Sequence, residues 1–513
     1  VKKEFRRISR ERATALMRGQ LNKLDELFHA GKVNAFWQHV KKSRKYFVRS
    51  DLNADAFAGF YRNVMTDDGV LTSEQKRVAD QVDQWLRDTQ PSRTSEVSRS
   101  KVACLVKQLN NNCSPGIDGV TGEHLKIGLS DVLCSALSCV LSSMLSLQLV
   151  PSSFKTGVIV PILKKPGLNT NQESNFRPVT LSSTFSKLLE MLLMPQNEIS
   201  STQFGFRKGR CTKFACSLYH DVSNYFVMRR SPLFSCSLDA EKCFDSIWHK
   251  GLFFKLHGKL PEQHWALLYR WYSELKAVVR WHGCHSKSFN ITKGTRQGSI
   301  LSPQLFNLFI DDLLRYLQAS KYQVKIGKCS LNSFAYADDI TVLSTTAPGL
   351  QHLIDICTRY ADEWRFRFGV NKTKCMVVCS GKLCEVPSFT LNGQPIDNVN
   401  EMEILGMVFN SAGTADAHVA KRIDKCRRSF YALNDVGMGY PGCSASIKSY
   451  LWKTMCQPVL LYGLECFNLP GRCFKDLETC QGNLVKQSLG FSKRSRTSFT
   501  LQAMNVFKVV DCF

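Results

Sequence analysis

The sequence contains no apolar run long enough to cross a bilayer, and its charged start is unlike a secretory signal peptide. Its 21 cysteines are scattered singly, without the close pairs of a disulfide framework. That pattern is typical of reduced thiols and excludes a small, disulfide-rich secreted scaffold. We therefore expect a protein that is neither secreted nor membrane-bound, and that resides in the nucleus and cytoplasm.

Two kinds of site motif are also missing from the sequence. Gly205 and Gly209 do not have the spacing of a phosphate-binding P-loop. His282, Cys284 and His285 lie close together but have no second ligand pair at the spacing of a zinc finger. We therefore assign neither a P-loop nor a structural zinc site.

Acidic side chains are scarce relative to basic ones. Lys and Arg number 68 against 43 Asp and Glu, which gives a formal net charge of +25. Such an excess favours a polyanionic partner, with nucleic acid ahead of an anionic membrane surface. Charge alone leaves open a protein that is merely basic. At 513 residues the chain is too long for one compact core, so we expect three or four subdomains.

The chain changes character at about residue 100. Residues 1–90 favour basic helices, and a polar stretch over 88–98 is typical of a linker. Beyond it, helices and strands alternate without a regular βαβ rhythm, which predicts an α+β fold. The clearest predicted elements are strands at 158–163, 233–238 and 332–344, and a helix that begins at Ser302 with Pro303 in its first turn.

An amphipathic helix is predicted near the C-terminus. Apolar residues recur at steps of four and three from Val419 to Leu433, which places them on one helix face. Lys421, Lys425 and Arg428 fall on another face of the same helix. A solvated face and a nucleic-acid contact are both compatible with this run of charge. Further helices are predicted around 445–456 and 474–489.

Two adjacent carboxylates, Asp338 and Asp339, lie between apolar segments within 334–342. In a straight strand they would point to opposite faces, whereas the tight turn of a hairpin would bring both to one sheet edge. Crowding like charges is costly unless a cation neutralises them. For this pair taken alone, an exposed Asp-rich turn is the alternative interpretation.

A third carboxylate, Asp239, follows the apolar segment 233–238. If that segment pairs beside the hairpin, Asp239 and Asp338 converge although they are 99 positions apart (338 − 239). Such oxygen ligands suit Mg²⁺, which binds through one or two carboxylates plus substrate phosphates. Two such ions can promote an in-line displacement at phosphorus.

The segments around these carboxylates resemble known polymerase motifs. Residues 239–245 and 336–339 resemble motifs A and C of the reverse transcriptases. The Ala in Tyr-Ala-Asp-Asp and the block at 114–118 resemble the LINE-type (non-LTR) retrotransposon branch more than the retroviral one, and group II intron enzymes share several of these features. The other motifs follow in that family's order, at 114–119, 161–167, 175–181, 203–212, 294–307, 368–374 and 404–406.

The resemblance implies a metal site. Asp239 and Asp338 would bind two Mg²⁺ ions with help from the carbonyl of Ala240, and Mn²⁺ could substitute. Asp339 would complete the acidic triad and assist the primer end. For these roles the three carboxylates have to meet at one edge of a sheet.

The resemblance also implies a nucleotide site. Lys164 and Arg177 would hold the triphosphate, the Arg through two parallel hydrogen bonds. Phe244 would lie under the sugar and reject a 2′-hydroxyl, so that dNTP is chosen over rNTP. An ordinary core Phe is the alternative. Gln297 and Gly298 would let an amide and the backbone approach the nucleotide.

A general acid is implied in the segment that resembles motif D. Lys372 or Lys374 would protonate the leaving pyrophosphate, and the spacing leaves open which of them does so. For either lysine considered alone, an ordinary solvent-exposed side chain is the simpler alternative to a general acid.

The family resemblance implies a right-hand polymerase. We expect a mostly helical N-terminal extension and linker (1–100) that binds RNA or braces the fingers, then fingers (101–227), a palm with an antiparallel sheet (228–411) and a helical thumb (412–513). The activity would be RNA-directed DNA synthesis, which adds dNMP to a primer 3′-hydroxyl. Its partners would be an RNA template, a DNA primer or target and dNTP, in a ribonucleoprotein.

Two other functions remain open at this point. A catalytically inactive remnant of such an element would keep RNA binding, and a two-metal nuclease would need the carboxylates but not Phe244 or Gln297. We see neither an apurinic-type endonuclease ahead of these motifs nor a zinc knuckle behind them, so we expect the chain to be part of a larger element. The oligomeric state is left open by the sequence.

Overall fold

The structure is a computed structural model that describes residues 2–43, 50–90, 96–380 and 387–512. Helices and strands both occur in it, and helices pack against its two large sheets, which confirms the predicted α+β class. None of the helices in these ranges is long and apolar enough to pass through a membrane.

The N-terminal region is helical, as predicted. A capping box at Thr72 and Gln75 starts its fourth helix. Of the predicted linker at 88–98, residues 91–95 lie outside the described ranges. The four helices are α1 (Lys2–His29), α2 (Val33–Ser43), α3 (Ala54–Met65) and α4 (Ser73–Asp88).

The next region, up to residue 228, begins with helices and then forms the first strand pair. The strand predicted at 158–163 is confirmed as part of an eight-residue strand. In order, the elements are α5 (Arg99–Gln108), α6 (Gly122–Ile127), α7 (Asp131–Leu147), α8 (Ser152–Lys155), β1 (Thr156–Leu163), β2 (Phe176–Leu181), α9 (Thr184–Leu192) and α10 (Thr212–Met228).

The central region carries most of the strands. The strand predicted at 233–238 and the helix predicted to begin at Ser302 are confirmed. The elements are β3 (Leu233–Asp239), α11 (Cys243–Ser246), α12 (His249–Leu256), α13 (Glu262–Ser273), β4 (Lys276–Trp281), β5 (Cys284–His285), β6 (Phe289–Asn290), α14 (Ser302–Ala319), β7 (Val324–Ile326), β8 (Cys329–Leu331), β9 (Ser333–Tyr336), β10 (Asp339–Ser344), α15 (Ala347–Glu363), β11 (Lys374–Val378), β12 (Phe389–Leu391), β13 (Gln394–Asn398), β14 (Glu401–Ile404) and β15 (Met407–Asn410).

The C-terminal region is helical, as predicted. The apolar stripe of its first helix is buried at Val419, Cys426 and Phe430, which confirms the amphipathic pattern. A π-helical turn at Trp452–Cys456 joins the second helix to the third. The helices are α16 (Asp416–Tyr431), α17 (Ala445–Leu451), α18 (Gln457–Leu461), α19 (Gly471–Ser488) and α20 (Thr497–Ala503).

The basic face of α16 is partly neutralised. Lys421 forms an ion pair with Glu403, and Arg428 pairs within the helix. Lys425 is half-buried; burial lowers its pKa, and so do neighbouring positive charges that include Lys165, from the turn after β1. A contact between this face and nucleic acid therefore stays a prediction.

One sheet joins strands from two parts of the chain. Its order is β2-β1-β4-β5, with β6 paired to β4. β1 runs antiparallel to β2 and parallel to β4, so residues 276–290 extend the sheet that residues 156–181 begin. These later strands lie inside the range predicted as palm, yet they pair with strands from the range predicted as fingers.

The second sheet carries the predicted carboxylates. Its order is β12-β13-β11-β3-β10-β9. β9 and β10 form the predicted antiparallel hairpin, and β10 also pairs antiparallel with β3 so that Asp339 lies opposite Asp239. The pairing that the sequence could state only conditionally is present, because the hairpin lies directly beside the strand that ends on Asp239.

The N-terminal helices pack in two separate places. Leu21, Leu24 and Phe36 of α1 and α2 are buried in the hydrophobic cluster of the C-terminal helices. Phe57 of α3 instead packs against Phe176 of β2, with ring centres 5.0 Å apart, in the cluster beneath the two sheets. Residues 1–100 therefore do not form one unit in space.

Candidate active site

A tight turn connects β9 to β10 at Ala337 and Asp338. Ala337 has a left-handed backbone (φ +57°), which is uncommon for a residue with a side chain. The buried side chain of Gln203 holds this turn, because its Oε1 accepts a hydrogen bond from the Ala337 nitrogen at 2.8 Å and its Nε2 donates to the Ala337 carbonyl at 3.3 Å. Gly205 lies directly against the same backbone, where a Cβ would collide with the Ala337 nitrogen.

The three predicted carboxylates lie close together at this edge of the sheet. Asp239 and Asp338 line one cavity of about 650 Å³, whereas Asp339 is not among its lining residues. Burial raises the pKa of Asp338, and the charge of Asp239 raises it further. Burial and then the charges of Asp338 and Asp239 raise the pKa of Asp339 to about 6. The carboxylates are near enough to repel one another, which favours binding of a cation.

Lys372 supplies positive charge to this cluster. Its Nζ lies 2.8 Å from Oδ2 of Asp239, and this hydrogen bond raises the pKa of Lys372. Within the described ranges, no group of three or more His, Cys, Asp or Glu is arranged to hold a metal ion. Mg²⁺ often takes only one or two carboxylates and completes its shell with water and phosphate. Asp239 and Asp338 fit that ion, and Ala240 lines the same cavity.

Cations line the cavity together with these carboxylates. Lys164, Arg177 and Lys242 all line it. The Lys164 ammonium donates to the carbonyl of Ser174 at 2.6 Å. Burial lowers the pKa of Lys164, and the neighbouring charges of Lys372, Lys242 and Arg177 lower it further. A group of mutually repelling cations beside two carboxylates is suited to an anionic ligand that carries a divalent ion.

Phe244 is half-buried and lines the cavity. Its ring is held by Phe306, with centres 4.9 Å apart, and by Phe206 at 6.1 Å. The ring therefore belongs in part to the core, as the alternative interpretation had it, and also presents a fixed wall to the cavity. Gly298 stands at φ +108°, and a Cβ there would lie 2.9 Å from the Thr180 carbonyl oxygen. Only glycine fits this close approach without strain.

Gln297 is tied to a second buried acid. Its Nε2 donates to both carboxylate oxygens of Asp245 at 2.9 Å, and its backbone carbonyl accepts from the Thr180 nitrogen at 2.7 Å. Burial raises the pKa of Asp245 to about 7. The amide of Gln297 is thus oriented by Asp245 at the wall of the cavity.

Residues 162–409 match the family model described as "Reverse transcriptase (RNA-dependent DNA polymerase)". These residues form a reverse transcriptase domain. The match begins within β1 and ends within β15, so the domain contains every site residue that was predicted from the sequence.

Several relatives come from mobile elements of flies. The chain is 26% identical over 434 residues to the RNA-directed DNA polymerase from mobile element jockey of Drosophila funebris, covering 81% of this chain and 46% of that protein. It is 28% identical to the probable RNA-directed DNA polymerase from transposon X-element of Drosophila melanogaster, over 78% of this chain and 43% of that protein. It is 26% identical to the retrovirus-related Pol polyprotein from type-2 retrotransposable element R2DM of Drosophila melanogaster, over 60% of this chain and 30% of that protein. The chain thus spans about half or less of these relatives, and the resemblance to LINE-type reverse transcriptases is confirmed.

The reverse transcriptase domain gathers most of the predicted site residues at one cavity. Two of them lie elsewhere. Asp339 is in β10 behind the turn, and Lys374 is in β11, where its Nζ lies 2.6 Å from Asp397 Oδ2. The residues at the cavity are Asp239, Ala240, Asp338, Lys164, Arg177, Phe244, Gln297, Gly298 and Lys372.

Some residues at the cavity were not predicted. Phe60, Tyr61 and Val64 of α3 line it, although they precede the reverse transcriptase domain by about 100 positions. The Lys242 ammonium lies 5.2 Å from the centre of the Phe60 ring, so α3 helps to hold a cation of the site. In the sequence these residues look like the apolar face of an ordinary helix, and no local signal distinguishes them.

Proposed function

We propose that this chain is an RNA-directed DNA polymerase of a non-LTR retrotransposon, which adds dNMP to a primer 3′-hydroxyl by two-metal phosphoryl transfer. One observation carries the proposal. A single cavity of the reverse transcriptase domain has Asp239 and Asp338 together with Lys164 and Arg177. Carboxylates for divalent ions beside cations for a triphosphate are what nucleotidyl transfer needs.

The residues can be given roles in that reaction. Two Mg²⁺ or Mn²⁺ ions held by Asp239, Asp338 and the Ala240 carbonyl would activate the primer hydroxyl and neutralise the leaving pyrophosphate. Asp339 adds negative charge behind them. Lys164 and Arg177 bind the triphosphate as hydrogen-bond donors.

Lys372 is better placed than Lys374 to act as general acid. Lys372 lines the cavity, and its raised pKa keeps a proton available on Nζ. Lys374 is engaged by Asp397 outside the cavity. We therefore assign the proton that reaches the pyrophosphate to Lys372.

The right-hand arrangement belongs to the same proposal. Fingers at 101–227, a palm at 228–411 and a thumb at 412–513 would leave a nucleic-acid cleft between the turn after β1 and helix α16. The electrostatic influence of Lys165 on Lys425 supports that cleft, since Lys165 follows β1 and Lys425 lies in α16, far apart in the chain. RNA template and DNA primer would lie there, in a ribonucleoprotein of the nucleus and cytoplasm.

The intact site also bears on the other functions. An inactive RNA-binding remnant has no need for paired carboxylates beside clustered cations. A nuclease has no need for the ring of Phe244 or the oriented amide of Gln297. The cavity therefore favours a polymerase over both.

Primer extension tests the proposal. Wild type and Asp338→Ala are compared on poly(rA) with a DNA primer, dTTP and Mg²⁺, with RNA binding measured in parallel. Asp80→Ala, an exposed carboxylate of α4, is the matched control. We expect extension by wild type and Asp80→Ala, and loss of extension with retained RNA binding in Asp338→Ala. Equal extension by all three proteins would contradict the proposal.

A further inference from the structure

Helix α7 has an apolar face on each of its two sides. Leu137 and Leu141 on the inner side are buried in the core. On the outer side Val132, Val140 and Leu147 are 80%, 47% and 64% exposed. The outer side of a surface helix ordinarily carries charged and polar residues, so an apolar outer face indicates an interaction surface.

The outer face of α7 is also free of charge. Residues 132–154 contain no Asp, Glu, Lys, Arg or His, although the net charge of the chain is +25. Nucleic acids and anionic membrane surfaces are both bound through cations, so this face suits neither of them. Its residues are not among those that line the nucleotide cavity, so a partner bound here would not occupy that cavity. The face fits a neutral, apolar protein surface.

The exposed residues of this face form a stripe that is symmetric about its own midpoint. The members of the stripe are Val132, Ala136, Cys139, Val140, Ser143 and Leu147. The first and last members, the second and fifth, and the two central ones each lie at equal distances from the point between residues 139 and 140. When two copies of α7 cross antiparallel about a two-fold axis through that point, each member of such a pair faces the other member in the second copy. The stripe is therefore complementary to itself, which favours a second copy of this chain as the partner.

The sizes of the side chains agree with such a pairing. Ala136, Cys139 and Ser143 near the middle of the stripe are small, so two helix axes can approach to roughly 8 Å there. Val132 and Leu147 at the two ends are larger, and each would pack against the other across the axis. Spacings of three and four residues are typical of helices that cross at a shallow angle.

The groove between α5 and α7 carries charges that are also complementary to themselves. Val97, just before α5, forms hydrogen bonds with Ser138 and Ser142 near the middle of α7. Its neighbours Glu96 and Arg99 line the same groove. Near a two-fold axis, an acid and a base in one copy can meet the base and the acid of the other copy. Two identical faces with charge of a single sign would repel instead.

We propose that the outer face of α7 binds a second copy of this chain, in an antiparallel helix pair whose two-fold axis passes between Cys139 and Val140. The dimer forms without nucleic acid and does not depend on the polymerase reaction. Its contact buries apolar side chains and carries no charge along the stripe, so high salt does not separate the two copies.

Sedimentation equilibrium of the full-length chain, treated with nuclease, measures the association. We expect a dimer at low and at high salt. Val140→Glu places a carboxylate in both halves of the contact and should weaken association on the order of 100-fold. Val33→Glu, at an exposed valine of α2, is the matched control and should leave association unchanged.

Three results of this measurement would overturn the inference. The first is a wild-type chain that stays monomeric. The second is a dimer that separates at high salt, because residual nucleic acid would then be bridging two basic chains. The third is a dimer that Val140→Glu weakens no more than Val33→Glu does.

A charge exchange tests the antiparallel geometry. Positions 132 and 147 lie about 22 Å apart along one helix, so charges placed there cannot pair within one copy. Across the proposed axis they face each other. We expect Val132→Glu and Leu147→Lys each to weaken the dimer by about tenfold, and the double variant to recover most of that loss through two ion pairs between the copies. Absence of recovery would contradict the antiparallel pairing.

Cys139 reports the same contact by a chemical method. Its thiol is exposed, and the axis brings the two copies of it within reach of a short bis-maleimide. We expect a crosslinked dimer of the wild type that is lost in Cys139→Ser, which keeps other exposed thiols such as Cys104 and Cys284. A crosslink that survives Cys139→Ser, or a wild type that forms none, would overturn the inference.

Discussion

Gly205 limits how the catalytic turn can be built, and its replacement by Ala has a calculable effect. A Cβ at this position would collide with the Ala337 nitrogen and would lie 2.9 Å from the Tyr336 carbonyl carbon and 3.0 Å from the Ala337 Cα. All three atoms are backbone, so no side chain can rotate away. The turn that carries Asp338 would have to move by roughly 1 Å to restore ordinary contact, at a cost of about 1–3 kcal/mol.

The expected result is a larger loss of activity than of stability. A displacement of that size at a reacting group lowers turnover by about 100-fold. Primer-extension kcat and the melting temperature of Gly205→Ala measure both effects. Gly59→Ala is the matched control, because Gly59 is exposed on helix α3 with nothing within 4 Å of the new methyl. Gly205→Ala with kcat equal to that of Gly59→Ala would refute the reasoning.

Titration, sugar selectivity and proton transfer at the site can each be tested separately. Burial raises the pKa of Asp245 to about 7, so the folded protein holds the proton of this carboxyl more tightly than the unfolded chain does. The stability that this proton provides is fully present below about pH 4 and is lost as the pH rises through 7 and the buried carboxyl ionises. Urea unfolding in EDTA should show Asp245→Asn gaining up to about 3 kcal/mol relative to wild type between pH 5 and pH 8, and a constant difference would contradict the shift. Phe244→Ala should raise rUTP over dUTP incorporation on the order of tenfold, unlike exposed Phe491→Ala, and unchanged sugar selectivity would remove Phe244 from that role. Lys372→Ala should slow single-turnover incorporation by about 100-fold and Lys374→Ala by much less, whereas the reverse order would exchange their roles.

The elements that could be predicted from the sequence are those whose own residues form a recognisable pattern of apolar and polar side chains. The hairpin at 333–344 follows from two apolar segments around an Asp pair, and the strand that ends on Asp239 follows from its apolar run. The position at which β11 begins also explains a choice that spacing left open. Lys374 is within β11 and faces Asp397, whereas Lys372 precedes the strand and reaches Asp239.

The parts that escaped prediction depend on contacts between distant segments. Phe60 and Tyr61 reach the cavity from the N-terminal region, and nothing in their neighbourhood in the sequence indicates a partner more than 100 positions away. The pairing of β4 with β1 crosses a predicted domain boundary for the same reason. The hydrogen bonds between Asp245 and Gln297 join two recognised motifs, but neither motif alone shows that one orients the other.

The central claim is that Asp239 and Asp338 together bind divalent metal, and metal-directed cleavage tests it without relying on turnover. Fe²⁺ replaces Mg²⁺ in the complex of the chain with poly(rA), DNA primer and dTTP, and ascorbate with peroxide generates hydroxyl radicals at the bound ion. The account predicts backbone cuts near residues 239 and 338 that excess Mg²⁺ suppresses and that Asp338→Ala loses. Cuts confined to other parts of the chain, or unchanged cuts in Asp338→Ala, would contradict it.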